Sequence, residues 1–297
     1  MAEEWTHREG VVNDVRLHWV EQGAGPLVVL LHGFPEFWWG WHRQIPALAA
    51  AGFRVVAPDM RGYNLSEKPK GAASYRVSIL LEDIASLIRH LGEARAHVAG
   101  HDWGGVVAWR LAMAHPELVD RLVIANAPHP AVFVRELKRP RQLLRSWYAM
   151  FFQLPLLPEA LFRANDYAML ERIFRKGPAR PGAFSDDDIR HYREAMSRPG
   201  ALTAMLDYYR TFARNLGRRG GPAGGERTRI VTQPTLVIWG ERDTALDPHN
   251  LDGLEEYVPD LRIECLPNAS HWVLADEPDR VSELMIGFLR GEHDGVG

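Results

Sequence analysis

The stretch Ala96-His-Val-Ala-Gly-His-Asp-Trp-Gly-Gly-Val-Val-Ala108 decides the fold. It reads as a short apolar strand, a glycine-flanked turn at Gly100-His101-Asp102-Trp103-Gly104, and the start of a helix. That is the context of a nucleophile elbow, G-x-Nu-x-G, with aspartate at the centre where ester hydrolases carry serine. The glycines admit the close packing of a strained turn, and the helix N-terminus favours an anion at Asp102. The residue type also selects a chemistry. Serine attacking a saturated carbon would leave an ether, a dead end, whereas aspartate leaves an ester that activated water can hydrolyse. Asp102 therefore points to displacement at saturated carbon. An aspartate between glycines also caps ordinary helices, so the reading needs partners elsewhere in the chain.

Outward from this stretch, apolar runs of strand length alternate with segments of helical period, the pattern of a mostly parallel sheet with crossover helices. Strands are expected at 15–20, 27–31, 54–57, 96–99, 122–125, 235–239 and 262–266, with the clearest helices over 77–91 and 278–289. The alternation stops near residue 130 and resumes near 230. The segment between is helical, aromatic and arginine-rich, and reads as an insertion. From 131 to 230 there are 19 Lys and Arg against 10 Asp and Glu, a net of +9, so the remainder of a chain of net charge −3 carries −12. The division is thus an α/β core over 1–130 and 231–297 and an inserted helical cap over 131–230. The glycine-rich run 217–225 reads as a flexible return to the core.

Composition excludes several classes of function. A chain of 297 residues, 46% hydrophobic and 25% charged, is an ordinary globular protein with ample core. The single cysteine, Cys265, forms no internal disulfide and builds no cysteine metal site, which fits a cytoplasmic setting. No export signal or membrane span is legible. The overall charge argues against nucleic acid, and the basic run Arg135 to Arg145 reads as a solvated helix face. No cofactor or metal is implied, and the state of self-association stays open.

The partners that the elbow needs are an acid and a histidine, in the chain order nucleophile, acid, histidine. Thr235-Leu-Val-Ile-Trp-Gly-Glu-Arg-Asp243 places Asp243 just beyond a strand, and Leu266-Pro-Asn-Ala-Ser-His271 places His271 beyond the last one. Asn126 follows the strand at 122–125 and cannot serve as the acid; Asp247 is the nearest rival to Asp243. His32-Gly-Phe-Pro-Glu36 follows the strand at 27–31, so the N–H groups of Phe34 and Trp103 are expected to face an Asp102 oxygen as an oxyanion hole.

At these residues the chain resembles the epoxide hydrolases of the α/β-hydrolase fold superfamily, through His32-Gly-Phe-Pro35, Gly100-His-Asp-Trp-Gly-Gly105, Asp243 and His271. The resemblance covers nearly the whole length. It implies a small hydrophobic epoxide and water as substrates, and two cap tyrosines that protonate the epoxide oxygen, at positions matching Tyr148 and Tyr209. Physical reasoning supports donors there. An opening epoxide develops an alkoxide, and a tyrosine with its pKa near 10 keeps its proton at neutral pH. On a helix over 202–216, Leu202, Met205, Leu206, Tyr209, Phe212 and Leu216 share a face, which turns Tyr209 inward and Tyr208 to the side. By pattern alone Tyr209 reads as a core aromatic, and the resemblance reverses that. Trp38, Trp103 and Phe152 are the expected substrate contacts.

Two other readings compete. Haloalkane dehalogenases share the Asp, Asp and His logic, but their resemblance predicts asparagine where this chain has Phe34, and no tyrosine pair. Fluoroacetate dehalogenases would bring arginines to the positions of Trp103 and Val106. A ligand-binding receptor on a hydrolase scaffold is the third reading, against which the complete catalytic set argues.

Overall fold

The structure is a computed structural model that describes residues 5–215 and 230–292. Its frame is one sheet of eight strands, β1 (Thr6–Val12), β2 (Val15–Gln22), β3 (Leu27–Leu31), β4 (Arg54–Pro58), β5 (Ala96–His101), β6 (Val119–Ala125), β7 (Thr235–Gly240) and β8 (Leu261–Leu266). Their order is β1-β2-β4-β3-β5-β6-β7-β8. From β4 to β8 all neighbours are parallel, while β2 pairs antiparallel with both β1 and β4. Every residue of β3 and β5 is buried, as expected of central strands covered on both faces.

The seven expected strands are all present, each within three residues of its expected ends. The strand β1 was not among them. Only Val12 is buried along it, so this edge strand carries no core-facing alternation to read. Helices α1 (Gln44–Ala50), α2 (Val77–His90) and α3 (Trp103–Ala114) flank the sheet with α11 (Val273–Asp276) and α12 (Pro278–Leu289). On α2 the apolar stripe Leu80, Leu81, Ile84, Leu87 and Ile88 is buried, and α2 packs on α3 while α1 packs on α12.

Between β6 and β7 the described residues form helices only: α4 (Pro130–Glu136), α5 (Pro140–Arg145), α6 (Trp147–Phe151), α7 (Leu157–Arg163), α8 (Ala168–Lys176), α9 (Asp186–Ser197) and α10 (Ala201–Asn215). The glycine-rich run 217–225 lies outside the described residues. The parallel strands β3, β5, β6, β7 and β8 all end toward the same edge, and the loops leaving them carry Phe34, Asp102, Asn126, Asp243 and His271. In open α/β sheets this carboxyl edge is where ligands bind.

Candidate active site

Asp102 sits between β5 and α3 with φ 49° and ψ −118°, in the positive-φ region that a non-glycine residue enters only under constraint. Two glycines make this turn. A Cβ on Gly100 would run into the Gly104 carbonyl, and one on Gly104 into the carbonyls of Leu31 and His32. The elbow is therefore pressed against both its own helix and the end of β3. That pressure brings the turn after β3 to the carboxylate, and the Phe34 N–H donates to Asp102 Oδ1 at 2.8 Å.

The other carboxylate oxygen faces a histidine. His271 Nε2 lies 3.6 Å from Asp102 Oδ2, and His271 Nδ1 lies 2.8 Å from Asp243 Oδ2. Asp243 is fully enclosed: its Oδ1 accepts from the N–H groups of Ala245 and Leu246, and its Oδ2 from Asn126 Nδ2 at 2.8 Å. Asn126 is held in turn, its Oδ1 accepting from the Gly240 N–H. Burial pushes both carboxyls up, but the imidazole and these donors outweigh it, so Asp102 and Asp243 stand below the ordinary carboxylate value. Burial pulls His271 down, and the two carboxylates overcome that and hold it well above its ordinary value. The two carboxylates thus favour the protonated form of the buried imidazole that lies between them.

Opposite Asp102, α6 and α10 contribute Tyr148 and Tyr209, whose ring centres are 5.9 Å apart. Both line, with Asp102 and Trp103, a largely apolar cavity of about 230 Å³. Burial first, then the Asp102 charge, pushes both phenols up, so they remain protonated donors. Among the described residues neither hydroxyl donates to a protein acceptor, whereas the buried Tyr208 donates to the Arg61 carbonyl and Tyr75 to that of Pro69. Arg210 holds the two tyrosine-bearing helices together. It forks onto Glu159 at 2.8 and 3.1 Å and donates to the carbonyls of Phe152 and Leu154. Loss of one partner of such a buried pair costs about 3–5 kcal/mol, which makes Arg210 a support of the tyrosine geometry.

This arrangement can be set against known proteins. The sequence pattern of the alpha/beta hydrolase fold family matches residues 26–278. The Bacillus subtilis AB hydrolase superfamily protein YfhM is 44% identical over 94% of this chain and 96% of its own. Human epoxide hydrolase 4 is 37% identical over 94% of this chain and 77% of its own. A crystal structure of Bacillus megaterium epoxide hydrolase with an inhibitor superposes with TM-score 0.86 at 35% identity, covering 95% of this chain and all of that one. The chain belongs to the α/β-hydrolase fold family, on its epoxide hydrolase branch.

Within that α/β-hydrolase frame the structure brings together Asp102, Asp243, His271, Phe34, Trp103, Tyr148 and Tyr209. Four details differ from the expectation. No hydrogen bond links the Trp103 N–H to the Asp102 carboxylate, which makes no capping bond to α3 and has Phe34 as its backbone donor. Trp38 does not reach the cavity: it lies edge-on to Trp5, Phe37 and Trp39, because the short helix Trp38–Trp41 turns it away from the loop it follows. Phe152 stands behind the site, packed on Phe34, Tyr148 and Tyr209 and absent from the cavity wall. Tyr208 is buried rather than turned aside, since α10 is covered on a second face by residues 72–75. Asp247 caps the turn Pro248–Leu251 and pairs with Arg141 and Arg145, away from His271.

Sequence reasoning missed the polar supports. In the sequence Asn126 is legible only as a residue that cannot be the acid, yet in the structure its Nδ2 donates to Asp243 and aims it. Glu36 and His101 also escaped notice. His101 Nδ1 lies 2.9 Å from Glu36 Oε2 and its Nε2 2.8 Å from the His271 carbonyl, so the pair anchors the backbone at His271. Their signal was adjacency, since Glu36 closes the His-Gly-Phe-Pro turn and His101 precedes Asp102.

Proposed function

We propose that this chain is an epoxide hydrolase acting through a covalent ester on Asp102, with the helices of 131–230 as its cap. The observation that carries the reading is the pairing of Asp102 with two tyrosine hydroxyls across one apolar cavity, neither of which donates to a protein acceptor among the described residues. Asp102 attacks an epoxide carbon while Tyr148 and Tyr209 give a proton to the departing oxygen, leaving a glycol ester and a tyrosinate. Esterification removes the Asp102 charge, one of the two carboxylates that hold the His271 proton. His271 then releases its proton, which restores the tyrosine, and becomes the neutral base that the second step requires. It takes a proton from water, whose hydroxide attacks the ester carbonyl carbon. The oxyanion forms at the Phe34 N–H, with the first N–H of α3, Trp103, as the second donor on formation of the intermediate. Collapse expels the diol and regenerates Asp102. His271 ends protonated, as it began, and the sum is epoxide plus water to vicinal diol.

The dehalogenase reading needs N–H donors around a halide. Here the cavity wall offers one indole, Trp103, and answers it with two phenols. Side-by-side turnover of simple epoxides and haloalkanes, with diol and halide both quantified, tests the choice. Diol from epoxides with little or no halide release is expected. Halide release without diol would overturn it.

A further inference from the structure

The cavity that holds Asp102 contains one cation among the described residues of its wall, Arg110, and no carboxylate among the described residues pairs with it. Trp103, Val106 and Arg110 follow one another at helical spacing on α3 and all three line the cavity, so Arg110 lies along the same wall as the nucleophile. Seven residue steps of helix lead from Trp103 to Arg110, which is roughly 10 Å along the axis. Val77, Pro130 and Phe133, which share the wall, are apolar.

Arg110 makes no ion pair or hydrogen bond among the described residues. Arginines of the helices between β6 and β7 behave otherwise: Arg135 meets Glu136, Arg145 meets Asp247 and Arg210 meets Glu159. Burial lowers the Arg110 pKa, and no carboxylate offsets it. A guanidinium partly withdrawn from water beside an apolar channel, with all its donors unspent, is a standing site for a planar anion.

We propose that Arg110 is an anion-binding subsite of the substrate cavity, selecting epoxides that carry a carboxylate on an apolar chain of up to about eight carbon–carbon bonds, the roughly 10 Å of helix axis between Trp103 and Arg110 setting the upper limit of the span. The apolar wall between Trp103 and Arg110 accommodates the chain, and the fork of Arg110 takes the two carboxylate oxygens. This rests on the epoxide hydrolase reading and adds to it the class of substrate.

The test compares three terminal epoxides of one chain length: the ω-epoxide of decanoic acid, its methyl ester, and the epoxide of the unsubstituted ten-carbon alkene. The wild-type protein is expected to favour the acid over the ester in kcat/KM by roughly 10- to 100-fold, the range of a charge-assisted hydrogen-bonded pair. In Arg110→Met that acid-to-ester ratio should fall to about one, through a raised KM for the acid, and Arg110→Lys should restore part of it. Equal turnover of acid and ester by the wild type, or a preference that survives Arg110→Met, would overturn the subsite while leaving epoxide hydrolysis in place. Failure to turn over any of the three would remove the reading beneath it.

Discussion

Replacing His271 with glutamine stops the reaction at the ester: the variant gains the mass of one substrate on Asp102 and holds it. Ring opening uses Asp102 and the tyrosines and does not need a base, whereas hydrolysis of the ester does. Loss of a positioned general base costs up to about 10⁴-fold in the step it serves. Steady-state diol formation should fall by that order while the first equivalent of epoxide is still consumed. The sign of the pH effect follows from the electrostatics. His271 is the largest favourable influence keeping the Asp102 carboxyl below its ordinary value, so without it burial lifts that carboxyl. Trapping by the variant should accordingly slow as the pH is lowered, because protonation of the Asp102 carboxyl removes the nucleophile at a higher pH than in the wild type. Intact-protein mass spectrometry, followed by peptide mapping, reads the result. An unmodified protein after exposure to an epoxide that the wild type hydrolyses would remove Asp102 and His271 from their assigned steps.

Converting Tyr148 and Tyr209 together to phenylalanine should cost on the order of 10³-fold or more in ring opening, and each single change much less, because either phenol alone still supplies a proton to the alkoxide. The asymmetry between one and two replacements separates proton donation from packing. Phenylalanine keeps the ring contacts of Tyr209 with Phe34, Trp103 and Phe152, so a purely structural role predicts little change in either case. The His271→Gln background isolates the step, since adduct formation there reports ring opening alone. Slow or absent adduct in the triple variant is the expected outcome. Adduct at the undiminished rate would return both residues to ordinary core aromatics.

The sequence carried the sheet and the catalytic line because both are periodic or local. β3 and β5 read as apolar runs, and the elbow, the turn at Phe34, Asp243 and His271 each follow a strand at its carboxyl end, where topology must gather them. What it could not carry is packing in the third dimension. β1 has no buried face to alternate. Tyr208 belongs to a helix covered on two sides, and a single-face wheel mis-assigns it. Trp38 is near Phe34 in sequence but is drawn into a cluster with Trp5 that only the edge strand brings close. Asn126, Glu36 and His101 act through hydrogen bonds to groups far along the chain, and polar residues leave no period. The same holds for Arg110, which lines the cavity and meets no carboxylate among the described residues.

The central claim is that the oxygen entering the diol comes from Asp102 and not directly from water. A single turnover with enzyme in excess in ¹⁸O-water tests it. If water attacks the ester carbonyl, the first diol carries no ¹⁸O, and the label appears in the Asp102 side chain. Heavy oxygen in the first diol, with none in Asp102, would mean that water opens the epoxide directly and would contradict the covalent mechanism.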